Sequence, residues 1–281
     1  MLRGSVRYQE GSAGTLVAKR GASVELLARE EQFYREVGAP FAPRLLGVAD
    51  GVLLLEDVRA RQGDAFAGCS VEDAELVLEC VARFHARHRG GRDGFPRWGG
   101  KPQARQERLD AHADAFLKRH GADLPAAVIE LVDPLRSHLA SVIAELAASP
   151  PTLIHGDLHL DNVLFDTGER PVVVLDWDRS CNGPAAWDVA LFLCGSLSPG
   201  DRRPVEDELL GRCAAVVDCS LEEFRRQCGL ALAVQLAGLI AWLSREPREG
   251  SSPRERAMRE SVIGDGRLVA ALLDLTVGIA G

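Results

Sequence analysis

The chain has 281 residues, 46% hydrophobic and 26% charged, with 41 acidic against 33 basic side chains and a net charge of −8. This is the composition of an ordinary globular protein with ample material for a core, in one large or two modest domains, and its negative balance argues against general nucleic-acid binding, which needs basic patches. The opening MLRGSVRYQE lacks the apolar run of a secretory leader, the most apolar stretch, 229–243, is interrupted by Gln235 and falls short of a membrane span of ~18 residues, and seven scattered cysteines without a C-x-x-C pair read as reduced core thiols of a cytoplasmic protein.

Residues 5–9 and 15–19 bracket Gly11 to Gly14 and read as a hairpin whose second arm ends at Lys19. Leu26, Leu27, Glu30, Phe33, Tyr34 and Val37 then recur at helical spacing, which puts Glu30 on the inward side of a helix, within reach of Lys19. After Pro40 and Pro43, residues 45–48 and 52–55 read as a second hairpin ending in Glu56 and Asp57. Ser70 and Asp73 open a helix as a capping box, and its stripe of Ala74, Val77, Leu78, Val81 and Phe84 stops at Gly90 and Gly91. A linker rich in Trp, Pro and Gly reaches Gln103. Leu109, Ala113, Phe116 and Leu117 mark the next helix, and 125–149 is helical with a kink or restart at Asp133 and Pro134, Asp133 serving as cap.

The stretch 152–178, TLIHGDLHLDNVLFDTGERPVVVLDWD, carries the chemistry. Short β-branched runs bounded by Asp, Gly and Pro read as strands at 152–154, 163–165 and 172–175. Between them lie the loop from His155 to Asn162 and a turn over 166–170. Such a hairpin converges the carboxylates of Asp157 and Asp176 and the amide of Asn162. A carboxylate accepts a proton, and a carboxylate beside an amide oxygen makes a hard, oxygen-only site suited to Mg²⁺. A single Asp in a turn is ordinarily a solvated surface residue; the whole set at this spacing is far harder to obtain by chance. Downstream, residues 183–188 lead into a helix, 205–217 is helical, Ser220 and Glu223 cap a helix reaching about Leu243, and a final helix is expected over 254–277.

The loop resembles the H-G-D-x-H-x-x-N of the aminoglycoside phosphotransferase and choline kinase-like superfamily, matched by His155, Gly156, Asp157, His159 and Asn162. The order Asp157, Asn162, Asp176 is also that of the protein-kinase catalytic Asp, its following Asn and the metal-binding Asp, and LVAK ending at Lys19 resembles the kinase V-A-I-K strand. The run from Arg61 to Ser70 looks like the linker of the ecdysteroid-kinase-like branch. The resemblance implies an α+β, two-lobed, protein-kinase-like fold, with a small nucleotide-binding lobe over 1–58 and a large, mainly helical catalytic and substrate-binding lobe over 59–281. It implies Asp157 as catalytic base, Asn162 and Asp176 as ligands of Mg²⁺, and Lys19 braced by Glu30 on the phosphates of ATP or GTP. Adenine would meet the carbonyl of Glu56 and the N–H of Val58, and Asp188 would brace the catalytic loop's backbone. One departure is the small lobe's start: the family has a further strand and a phosphate-covering loop there, whereas 18 residues precede Lys19.

The implied reaction is phosphorylation of a small-molecule hydroxyl. Residues 101–180 hold 13 acids against 8 bases, a negative field that would attract Mg²⁺ and a cationic substrate. A cationic antibiotic, an aminoglycoside or a tuberactinomycin-like peptide, is therefore the leading acceptor, with resistance as the role. A kinase of another metabolite alcohol and a nucleotide-binding scaffold without activity are the alternatives. A two-metal phosphoesterase would use the G-D-x-H fragment from Gly156 with Asp110 and His112, but those two fall in a helical stretch and no G-N-H follows.

Overall fold

The computed structural model describes residues 2–7, 13–21, 23–165, 168 and 170–246, with 253, 256, 257, 259 and 274 beyond them. Strands β1 (Leu2–Arg7) and β2 (Ala13–Arg20) pair antiparallel, Ser5 opposite Thr15. Helix α1 (Val24–Glu36) follows, its first turn capped by Ser23, whose hydroxyl accepts from the Leu26 amide at 3.2 Å. As the helical spacing requires, α1 buries Glu30, Phe33 and Tyr34. Strands β3 (Leu45–Ala49) and β4 (Val52–Glu56) are joined by Asp50 and Gly51, both left-handed at φ 49° and 70°, the Asp-Gly chemistry of a tight hairpin. The sheet order β1-β2-β4-β3 makes β2 and β4 central and sets Lys19 opposite Leu53.

The chain continues through β5 (Arg61–Gln62), α2 (Val71–Arg87), α3 (Pro102–His120), α4 (Ala126–Glu130) and α5 (Val132–Ala147). Ser70 caps α2 by accepting from the Asp73 amide at 3.2 Å. The restart between α4 and α5 falls at Leu131, not at Asp133. Asp133 is therefore inside the first turn and is not the cap, because the missing N–H of Pro134 is tolerated there and does not force the helix to begin later.

Strands β6 (Thr152–Ile154), β7 (Val163–Phe165), β8 (Val172–Val174) and β9 (Cys181–Gly183) lead to helices α6 (Ala185–Ser196), α7 (Pro199–Val216) and α8 (Leu221–Leu243). β7 and β8 form the expected hairpin, extended by β5, while β6 pairs with β9. Ser220 caps α8, accepting from the Glu223 amide at 3.1 Å. At 23 residues α8 is long and apolar enough to cross a membrane, since it begins well before Gly229; 78% of its most apolar window is nevertheless buried in the fold, against α3, α5, α6 and α7. The expected helix over 254–277 lies, but for four positions, outside the described residues.

One buried cluster joins the sheet-bearing part to the helices. The Phe33 ring of α1 stacks on Trp177 at 3.9 Å, and Phe84 of α2 packs on both. This contact fixes α1, and with it Glu30, against the segment that follows β8.

Candidate active site

The loop after β6 is held from behind. Gly156 has φ 87°, and a Cβ there would lie 2.5 Å from the carbonyl oxygen of Arg179, so the position requires glycine. Asp188, in the first turn of α6 and fully buried, accepts hydrogen bonds from the amides of His155 at 2.7 Å and Gly156 at 2.9 Å, and its Oδ2 lies 3.1 Å from Nε2 of His85. Burial pushes this carboxyl up, but the His85 contact and the loop amides outweigh it and hold it below the usual carboxylate range. His155 places Nε2 at 2.8 Å from the Leu175 carbonyl and accepts the Asp157 amide on Nδ1 at 3.2 Å. Both ring nitrogens are thus occupied, which makes His155 a strut and not a base. The Trp187 indole N–H donates to the Gly156 carbonyl at 3.0 Å.

This frame turns the half-exposed carboxylate of Asp157 outward, where its nearest ionic neighbour is Arg179, Nε to Oδ2 at 3.3 Å. Asn162 donates its amide nitrogen to the Asp157 carbonyl at 3.1 Å and sets it 3.2 Å from Nε2 of His159, which orients the amide and leaves its oxygen on the opposite side. The Leu175 amide donates to the Asn162 carbonyl at 2.7 Å, tying the end of β8 to the loop. Asp176 follows at once with left-handed backbone, φ 62°, a conformation Asp tolerates better than most residues. Its Oδ1 lies 2.6 Å from Nζ of Lys19, and the same ammonium meets Glu30 at 2.6 to 2.7 Å. Burial alone would lower the Lys19 pKa, but Glu30 and Asp176 outweigh it, so the ammonium is held more firmly protonated than usual. Burial pushes the Glu30 carboxyl and the Tyr34 hydroxyl behind it upward.

Asp178 shows how much negative charge gathers here. Its carboxyl is pushed up first by burial and then by Asp176, with Asp157 adding to the effect. Among the described residues no group of three or more His, Cys, Asp or Glu side chains forms a closed metal cage. An open set of hard oxygen donors, the Asn162 amide oxygen and the Asp176 carboxylate, with excess negative charge around it, fits Mg²⁺, which takes few protein ligands alongside water and phosphate oxygens.

Lys19, Glu30, Asp157, Asn162 and Asp176 therefore come together. Glu56 and Val58 lie apart from them, at the end of β4. The Glu56 carboxylate accepts from the Arg44 amide at 3.0 Å and from Arg170 at 3.1 Å, so its side chain is engaged within the fold. Asp110 and His112 lie on α3, Asp110 near Arg136 and His112 3.0 Å from the Ser244 hydroxyl, which leaves the phosphoesterase reading without a site. Two neighbours escape sequence reasoning: Arg179 beside Asp157 and His85 behind Asp188. Tyr34, already on the inward helical stripe with Glu30, stands behind that carboxyl. His85 stands 103 residues from Asp188 and had no local signal.

A lysine–glutamate pair under a small sheet, an HGD loop and an aspartate just past the next hairpin define a protein-kinase-like phosphotransferase fold. The model of the phosphotransferase enzyme family APH matches residues 6–224, and the chain belongs to this family. Among solved structures it resembles the aminoglycoside phosphotransferase APH(3'')-Id of Streptomyces rimosus in complex with ADP and streptomycin, with 20% identity, TM-score 0.55 and coverage of 82% of this chain and 88% of that one. An ethanolamine kinase of Plasmodium vivax matches with 13% identity and TM-score 0.56 over 98% of this chain and 78% of its own. A putative aminoglycoside phosphotransferase of Ralstonia eutropha matches with 16% identity and TM-score 0.59 over 98% and 92%. In sequence, a homoserine kinase of Pseudomonas aeruginosa is 36% identical over 87 residues, a match spanning 28% of this chain and 27% of that protein.

Proposed function

We propose that the chain transfers the γ-phosphoryl group of ATP or GTP to a hydroxyl of a small molecule. The observation that carries this reading is the double pairing of Lys19 with Glu30 and Asp176 beside the loop that presents Asp157. Asp157 orients the acceptor hydroxyl and takes its proton as oxygen attacks phosphorus and the nucleoside diphosphate leaves. Lys19 steadies the phosphates, Glu30 aims Lys19, and Asn162 and Asp176 hold Mg²⁺, which supplies charge neutralisation when bound. Adenine rests on the main chain of Glu56 and Val58. On this reading residues 1–58 are the nucleotide lobe and 59–281 the catalytic and acceptor lobe. Seven free cysteines support a reducing, cytoplasmic setting.

For the acceptor, a cationic antibiotic draws its support from the acidic segment 101–180 and from the family. The alternative, a metabolite alcohol, is favoured by one observation: acids of that segment are engaged in ion pairs on the helices, Asp110 and Asp114 with Arg136 and Glu145 with Arg226, away from Asp157. The test is incubation with Mg-ATP, and separately Mg-GTP, and a panel of aminoglycosides, tuberactinomycins and metabolite alcohols, read by mass for the gain of one phosphoryl group. Gain on one acceptor, lost in Asp157→Ala, establishes both class and substrate. Absence of transfer together with absence of nucleotide binding rules the reading out and leaves an inactive scaffold.

A further inference from the structure

The linker into α3 carries cations that the catalytic reading leaves unused. Residues 87–108 hold seven bases against two acids. Arg89 is spent on Asp218 and Arg92 on Glu36, whereas Arg97, Lys101, Arg105 and Arg108 are exposed and have no carboxylate partner among the described residues. α3 itself begins with Lys101 as a cap that makes no side-chain hydrogen bond, and no acid stands in its first turn. The end of this 19-residue helix thus adds to a field that favours an anion.

Arg105 is the member tied to the catalytic loop. Its guanidinium carbon lies 5.7 Å from the centre of the Trp98 ring, and Trp98 packs on Trp187 at 4.9 Å. Trp187 holds the Gly156 carbonyl, and Asp157 is the next residue. Two indoles therefore link the Gly156 carbonyl of the loop that presents Asp157 to a guanidinium without a carboxylate partner among the described residues. Trp98 is only 8% exposed, and its indole N–H has no acceptor among the described residues. Arg105 is exposed as a residue, yet partial covering of its guanidinium lowers its pKa, with Arg108 adding repulsion. Arg29 of α1 reaches the same neighbourhood, since both guanidiniums act on the thiol of Cys181 in β9. Arg29, paired with Glu25 at 3.2 Å, lines with it a cavity of about 490 Å³ between α1 and Gly94, Phe95 and Pro96.

A planar guanidinium resting on an indole, with its fork of donors unspent, suits a carboxylate better than any cationic or neutral group. We propose that the acceptor alcohol carries a carboxylate, and that Arg105, resting on Trp98, is the specificity-determining residue that binds it while the hydroxyl end reaches Asp157. The inference rests on the phosphotransferase reading above and narrows its substrate class to hydroxy acids.

The test uses glycerate, homoserine, gluconate, glucuronate and quinate, each beside its methyl ester. Binding to the full chain is followed by intrinsic tryptophan fluorescence, and turnover with Mg-ATP or Mg-GTP by mass. The expected result is saturable binding and phosphorylation of at least one acid. Its ester binds about 10- to 100-fold more weakly, Arg105→Gln raises Kd and KM for the acid by a similar factor, and Arg105→Lys restores part of the loss, as for one charge-assisted contact. Circular dichroism verifies that the exposed substitutions leave the fold intact. Equal binding of acid and ester, no binding of any acid, or an unchanged Kd in Arg105→Gln overturns the inference. Transfer to neutral or cationic alcohols without preference for an acid overturns this inference alone. Acid binding without phosphoryl gain from either nucleotide overturns the phosphotransferase reading, and with it the acceptor role of the site.

Discussion

Asp157 and Asp176 differ in their surroundings, and on the proposed reading they do different work. Asp157 is presented by a glycine turn and braced through backbone amides, with its carboxylate half-exposed beside Arg179. A positioned base typically contributes ~10² to 10⁴ in rate, so Asp157→Ala is expected to lose at least ~100-fold in turnover with an unchanged circular dichroism spectrum. Asp176 instead touches Lys19 and follows the strand tied to Asn162. Asp176→Ala should therefore raise the Mg²⁺ concentration needed for half-maximal rate and weaken nucleotide affinity together; an unaltered Mg²⁺ titration would count against its assignment.

At the scale of elements, α6 serves the loop through one carboxylate. Asp188 satisfies two loop amides and faces His85, all without solvent. Its removal leaves the buried amides of His155 and Gly156 unpaired, which costs about 1–3 kcal/mol each, and Asp188→Ala should lower the urea midpoint accordingly. The folded-state pKa of Asp188 is depressed. Its contribution is therefore fully present above the unfolded value near ~4 and is lost as pH falls through the folded value. The difference in stability between wild type and Asp188→Ala should accordingly hold from neutral pH down to about 4 and shrink below it. Helix α8 supplies a contrast. Ser220 caps it on the surface, and Ser220→Ala should cost about 1 kcal/mol in denaturant unfolding while turnover at saturating substrate stays as in wild type.

Across the whole molecule, the Phe33–Trp177 stack carries the position of α1 to the segment after β8, so that Lys19 in the sheet, Glu30 in α1 and Asp176 meet. Nucleotide that binds this assembled arrangement and not the unfolded chain stabilises it, by ~2.7 kcal/mol at a hundred times Kd. Saturating Mg-ATP should raise the melting temperature of the wild-type chain, and Lys19→Ala should abolish most of that rise; a rise undiminished in the variant would show that Lys19 does not hold the phosphates.

What the sequence determined by itself is local in origin. The HGDLHLDN loop, the strands around it and Asp176 lie within one short stretch, and Glu30 and Lys19 follow from strand and helix periods, so all could be read from spacing. The Asp50–Gly51 turn and the Ser70 and Ser220 caps rest on short-range hydrogen bonds and were equally accessible. Strands β5 and β9, of two and three residues, carry too little pattern to stand out and exist only because β7 and β6 offer them an edge. Backbone groups at Glu56 and Val58 leave no side-chain signature. Only the tertiary structure decided which side chains meet across the chain: His85 with Asp188, Arg179 with Asp157, and Trp98 with both Arg105 and Trp187. Those pairings depend on packing of distant elements, where burial and charge act through space and no local rule of spacing records them.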